Sequence, residues 1–252
     1  MPSVMARWCR IQNWGDRINP ELIHKISGKS VEYCNAPDRQ THFLVCGSIA
    51  AWATGKSIIY GAGCLTSAGL NRRKNRPHKI IAVRGALTRA GFLKIGVECP
   101  EQYGDAGLLY SLFYKPVIEK KYEVGIIPHY VDYHHPWLVK YADDPQVKII
   151  DIRGDIEKVI DDVVACEMTI SSSLHGIVCS NSYNVPSLWV DFGGKILGNG
   201  FKFRDYWTCI NYSGQDKPVI ISQQTRLADV TNRLESYKID IDLHSMLALN
   251  PF

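Results

Sequence analysis

No apolar stretch in this 252-residue chain reaches the roughly 18 residues that cross a bilayer, which argues against a membrane-spanning helix. The opening residues, MPSVMARWCRIQNWGD, lack the apolar centre of a secretory leader, so the cytoplasm is the expected compartment. CxxC pairs are absent as well. The eight cysteines (Cys9, Cys34, Cys46, Cys64, Cys99, Cys166, Cys179 and Cys209) are scattered, several within apolar runs, and read as reduced core residues. Neither a disulfide framework nor a zinc site is expected from that spacing, and no metal site is assigned. There are no long Lys/Arg runs, and the net charge is only +4. That disfavours a nucleic-acid partner and leaves room for an anionic substrate or peripheral contact with a membrane surface. The chain shows neither an internal repeat nor a low-complexity tract.

What is present is ordinary globular composition, 46% hydrophobic and 21% charged, in a chain long enough for one or two domains. Short apolar runs (VMARWCRI, HFLVCGSI, SIIYGAG, KIIAVRG, YEVGIIPHY, VKIIDI, MTISSS, SLWVDF) read as strands. Between several of them lie helix-like segments: INPELIHKISG, ALTRAGFLKIG, IEKVIDDVVACE and LHGIVCSNSYN. This alternation predicts an α/β fold of parallel sheets covered by helices. The pattern breaks over residues 114–121, around Pro116, so two Rossmann-like domains are expected, 1–117 and 118–252. Their shared crevice, at the carboxyl ends of the strands, is the expected site. The tail segment TRLADVTNRLESYK predicts an amphipathic helix that packs back on the first domain.

Five stretches carry candidate chemistry. In QNWGDRINPELI, Asn13, Gly15 and Asp16 occupy a turn, Asp16 or Asn19 is the expected helix cap, and Pro20 is placed near the helix start. In IIYGAGCL, Gly61 and Gly63 open space for a ligand against the backbone, or for tight strand–helix packing. In IIAVRGALTR, Arg84 ends an apolar strand before a glycine and a helix start, a place suited to an anion; a buried ion pair with an acid such as Asp105 explains it too. In the second half, His129 follows Pro128 at a strand end, while His134 and His135 read as loop surface. ISSSLHGIV brings the serines at 171–173 to a helix N-terminus, a cradle for phosphate or carboxylate, with His175 in the first turn.

In order, NWGD, GSI, YGAG, VRGALTR, YGDAGLL, IIPHY and SSSLHGIVCSNSYNVP resemble the polysaccharide pyruvyl transferase family over roughly residues 11–210. The resemblance implies a two-domain fold of the glycosyltransferase-B type. It also implies transfer of the enolpyruvyl carbon of phosphoenolpyruvate onto two hydroxyls of one sugar, with phosphate released and no cofactor. The acceptor it implies is a hexose of a bacterial capsular polysaccharide or exopolysaccharide, free or lipid-linked, met at the cytoplasmic face of the inner membrane. Arg84 would be the family's donor-binding arginine and His175 its general acid, with Ser172, Ser173, His129, Arg89, Gly61 and Gly63 around the donor. Asn13, Asp16, Asp105, Lys195 and Arg204 are assigned to acceptor binding or to structure. The chain departs from the family at Gly104-Asp105-Ala106 and at Ser173, where many members carry arginine. One of Arg89, Lys195, Lys202 or Arg204 is expected to supply the missing charge. A nucleotide-sugar glycosyltransferase and a non-catalytic binding module for sugars or anions remain alternative readings at this point.

Overall fold

The computed structural model describes residues 3–66, 68–71, 73–235 and 237–252. The chain opens with β1 (Val4–Ala6), α1 (Trp14–Ser27), β2 (Val31–Tyr33), β3 (His42–Leu44), β4 (Ser57–Tyr60), β5 (Lys79–Ala82) and α2 (Ala86–Lys94). A 3-10 segment, Ala106–Leu112, leads towards the second series. That series runs through β6 (Tyr122–Ile127), α3 (Pro136–Val139), β7 (Val147–Ile149), α4 (Ile156–Val164), β8 (Cys166–Ser171) and α5 (Leu174–Ser182). The chain closes with β9 (Ser187–Asp191), α6 (Phe201–Cys209), β10 (Val219–Ile220), α7 (Leu227–Thr231) and α8 (Leu243–Ala248).

The strands form two five-stranded sheets, β2-β1-β3-β4-β5 and β10-β9-β8-β6-β7. Among the described residues, all eight strand pairings are parallel. Counted within its own series, each sheet has the order 2-1-3-4-5. The direction of winding therefore reverses between β1 and β3 in one sheet and between β6 and β8 in the other. Ligands in such sheets bind beyond the carboxyl ends of the strands flanking that reversal.

Local sequence accounts for most of these elements. In α4, Ile156, Val159, Ile160 and Val163 recur at helical spacing and are all buried, and the Asp155 side chain caps the first turn by accepting from Glu157 N and Lys158 N. The last four residues of β6 and the last three of β8 are buried, as central parallel strands require. Neither β2 nor β10 is foreseeable from an apolar run: both are short edge strands, and none of their residues is buried.

The tail departs from expectation. Among the described residues of the 225–238 segment, only Leu227–Thr231 is α-helical, and its Val230 packs with the second sheet's Val124, Ile170 and Val190. The contacts to the first sheet are made instead by α8 and the C-terminal residue. Tyr60 Oη donates to Met246 O at 2.6 Å, and the Phe252 ring packs edge-on against Phe43. The largest apolar core joins the two series, holding Val4, Trp14 and Leu22 together with Ile160, Ile177, Tyr206 and Met246.

Candidate active site

Asn13, rather than Asp16 or Asn19, caps α1: its Oδ1 accepts from Asp16 N at 3.1 Å. The cap comes early because Trp14 N is already held by Ile152 O, from the second half of the chain. Pro20 therefore lies well inside the helix, where it cannot donate to the Asp16 carbonyl. Asn19 compensates: its Nδ2 donates to Asp16 O at 3.1 Å and also reaches Cys46 O, while its Oδ1 accepts from Cys46 N at 2.9 Å. This ties α1 to the loop after β3 and sets Asp16 beyond the sheet. Burial raises the Asp16 carboxyl to about 6, opposed by its bonds to Asn13 and Cys9 and by the charge of Lys202.

The three serines after β8 divide their work. Ser171 Oγ donates to Ile127 O and accepts from Ser173 N, fixing the turn. Ser172 Oγ donates to Asp132 and accepts from His129 N, so its hydroxyl is fully engaged inside the protein and orders the His129 loop. Ser173 is the N-cap residue of α5 and makes no side-chain cap bond. It lines a cavity of about 340 Å³ together with Leu174 and His175. The first-turn N–H groups of α5 thus stand at the edge of this cavity, the positive end of the helix dipole with them.

His175 lies across the first turn of α1. A Cβ built on Gly15 would come within 2.1 Å of the imidazole Cγ, so only glycine fits beneath the ring. Its Nδ1 meets Asn13 Oδ1 at 3.2 Å, and the buried Nε2 has no partner among the described residues. Burial lowers this imidazole to about 3, reinforced by Lys202, Arg84 and His129. His129 is likewise lowered to about 3, by burial and then by Lys202.

Arg84 is placed differently from expectation. Its side chain is fully buried and is not part of the cavity lining. Nε donates to Asp205 at 3.0 Å, Nη2 to Cys64 O at 2.6 Å and Nη1 to Ser48 Oγ at 2.8 Å. The partner acid is Asp205 of α6, not Asp105. The same carboxylate accepts from Thr88 N and Thr88 Oγ1, while Thr208 Oγ1 accepts from Ala86 N. The α2 N-terminus, expected to receive an external anion, is therefore occupied by the protein's own. Ser48 lines the cavity, so Arg84 reaches it through that hydroxyl.

Both glycines of YGAG serve packing. A Cβ on Gly63 would lie 2.3 Å from the Arg84 guanidinium carbon, and one on Gly61 would lie 2.9 Å from Ala106. Asp105 is buried behind the site, where its Oδ1 accepts from Gly107 N.

Of the four cations offered for the charge missing at Ser173, two do not line the cavity. Arg89 pairs with Glu101 and donates to Cys99 O, and Arg204 is held by Asn199 O and Asp216. Lys195 and Lys202 line the cavity. Lys202 is the more informative, being 9% exposed with no carboxylate within ion-pairing distance among the described residues. Its ammonium falls to about 8, because of burial and then Arg84, with Asp16 and Asp132 pulling the other way. His134 is exposed, and His135 caps α3 through Nδ1.

The rim is apolar: Ile11, Trp52, Val131 and Leu197 are among the exposed large hydrophobic residues and all line the cavity, as does Tyr130. Sequence reading missed these, along with Ser48 and Asp205. Gly15 carried a signal, since glycine in the first turns of a helix is a poor helix former and marks a close approach. A second, more open hollow of about 640 Å³ at the amino end of β5, lined by Arg76, His78 and Lys79, contains no residue of this site.

The family model for polysaccharide pyruvyl transferase matches residues 15–193, spanning Arg84, His129 and the SSSLHG turn. The chain belongs to the polysaccharide pyruvyl transferase family. It is also 33% identical over 207 residues to an uncharacterized protein, L143, of Acanthamoeba polyphaga mimivirus, covering 77% of this chain and 69% of that protein. No solved structure matches it significantly. Among the described residues, no helix is long and apolar enough to cross a membrane.

Proposed function

We propose that this chain is a phosphoenolpyruvate-dependent pyruvyl transferase that closes a pyruvate ketal on two hydroxyls of one hexose of a polysaccharide or its precursor. The observation that carries this reading is the nearly buried ammonium of Lys202, without an ion-pair partner among the described residues, in the same cavity as the open α5 N-terminus and His175. A buried cation without a counter-ion is costly unless a ligand supplies the negative charge. Phosphoenolpyruvate, with a carboxylate and a phosphate, supplies it twice. The cavity volume, about 340 Å³, lies within the roughly 300–1,000 Å³ range of small-ligand sites.

In this reading the two sheets form a glycosyltransferase-B-type pair, divided near residue 117, with catalysis in the crevice between them. Lys202, the α5 N–H groups and Ser173 bind the donor anion, and Lys195 assists from the rim. Ser48, whose oxygen is engaged by Arg84, turns its hydroxyl proton to the donor. A hydroxyl oxygen of the sugar bonds to C2 of phosphoenolpyruvate while the methylene carbon gains a proton, and the hydroxyl's own proton passes to the protein. The C2–O bond to phosphate then breaks. The second hydroxyl adds to the oxocarbenium-like centre and loses its proton, giving the ketal and inorganic phosphate. His175 is the proton-transfer group, because its buried Nε2 has no partner among the described residues. An anionic donor raises the imidazole's proton affinity towards the range in which it can act as an acid.

The apolar, aromatic rim suits the face of a sugar ring and any lipid attached to it. The viral relative lends no weight to a bacterial capsule over other polysaccharides, so the acceptor is defined here by its diol. Eight free cysteines support a reducing compartment, and we place the reaction in the cytoplasm. The test combines the protein, phosphoenolpyruvate and a panel of hexosides. Phosphate release coupled to a one-ketal mass gain on a glycoside is expected; stabilisation by nucleotide sugars but not by phosphoenolpyruvate would overturn the reading.

A further inference from the structure

We propose that Asn13 is a positioning residue that holds neutral His175 as the Nδ1–H tautomer, leaving the Nε2 lone pair for proton transfer, and that Asp16 locks Asn13 in the orientation this requires. The role assigned to that lone pair rests on the pyruvyl-transfer reading; the tautomer itself does not.

An asparagine amide can usually turn over and exchange its oxygen for its NH2. Here it is fixed at both ends. Oδ1 accepts the backbone N–H of Asp16 at 3.1 Å, and Nδ2 donates to the Asp16 carboxylate. Turned over, the NH2 would face an N–H and the oxygen would face a carboxylate, so two attractions would become two repulsions. Oδ1 is therefore the atom that meets His175 Nδ1 at 3.2 Å, and an acceptor there requires the ring to donate. A neutral imidazole has one N–H, so Nε2 must carry the lone pair. That nitrogen is buried and has no partner among the described residues.

The ring is held in place as well as in tautomer. Glycine at 15 allows the imidazole to rest on the α1 backbone, with no space for a methyl group between them. Burial does most to keep the ring neutral at pH 7, and the positive charges of Lys202 from α6 and Arg84, just after β5, add to it; His129, after β6, would repel a second imidazolium but is itself held neutral. Asp16 acts on it through Asn13. Residues 13, 15 and 16, three of the four in the NWGD turn with its cap, thus act on a histidine 162 positions away in sequence.

The test is a long-range ¹H–¹⁵N spectrum of protein labelled in histidine, at pH 7.5, with His175 assigned by its loss in His175→Gln. The wild type should show a protonated Nδ1 and an unprotonated Nε2. Asn13→Ala should mix the tautomers and lower kcat by roughly 10–100-fold, with the donor KM changed only a few-fold. Asp16→Asn, which keeps an acceptor for the Asn13 amide, should preserve the tautomer. An Nε2–H ring in the wild type overturns the proposal, as does wild-type tautomer and turnover in Asn13→Ala. Should Asn13→Ala fail to fold, the wild-type spectrum still decides. A protein with the expected tautomer but no turnover of phosphoenolpyruvate would refute the pyruvyl-transfer reading and leave the tautomer assignment standing.

Discussion

At the residue scale, the cavity contains two groups that cost stability at neutral pH. Lys202 falls from an ordinary 10.5 to about 8, so its penalty grows as pH falls from 10.5 and is complete below about 8. Asp16 rises from 3.8 to about 6, so its penalty grows as pH rises through that interval and is complete above about 6. Between about 6 and 8 both penalties are present. Lys202→Met, which removes the charge and keeps the stem's volume, should stabilise the fold at pH 7 by on the order of 1–3 kcal/mol while weakening donor binding. Denaturant melts and donor titration together check this; a destabilised variant with wild-type donor affinity would refute it. Arg84 should behave in the opposite way. Arg84→Met leaves Asp205 buried without its counter-ion and should cost about 3–5 kcal/mol in the same melts. A loss of donor affinity at unchanged stability would instead mean that Arg84 meets the donor directly.

At the scale of elements, the site is held together by two helix starts. One is open to the cavity, at α5. The other, at α2, is closed by Asp205 from α6, and both sit beside glycines that accept a neighbouring side chain. Gly15→Ala should improve the intrinsic propensity of α1 yet push His175 off its seat, lowering turnover by on the order of 10²-fold with donor binding retained. Steady-state kinetics give the split, and unchanged kcat would show that the ring is not held there. The central strand β6 was legible because burial on both faces favours an unbroken apolar run, as in its buried end VGII. The edge strands were not, since β2 and β10 gain their order from hydrogen bonds to one neighbour and bury little. The SSSLHG turn was legible because its hydroxyls, glycine and histidine are local. Asp205 was not, because nothing in FKFRDYW records that its carboxylate caps a helix more than a hundred residues earlier. The α1 cap was misplaced because a long-range bond, Trp14 N to Ile152 O, decides where that helix begins.

At the scale of the whole molecule, the two sheets share one apolar core, and Arg84–Asp205, Asn13–His175 and Trp14–Ile152 cross between the two series. Halves joined by a polar seam would unfold separately, whereas a core spanning both makes unfolding one event. Calorimetry should therefore give one transition with equal calorimetric and van't Hoff enthalpies; two resolved transitions would refute this. Donor binding then acts on the whole molecule through Lys202. An anion favours the charged ammonium, so binding must raise this group's proton affinity, and by linkage donor affinity must fall as pH rises through about 8. Near pH 8, where Lys202 is about half protonated in the free protein, binding should take up a fraction of a proton. Titration calorimetry in buffers of different ionisation enthalpy measures that uptake directly. In the wild type it should rise through pH 8 and peak above it, and it should be diminished at pH 8 in Lys202→Met. Equal uptake by the two proteins at pH 8 would place the titrating group elsewhere.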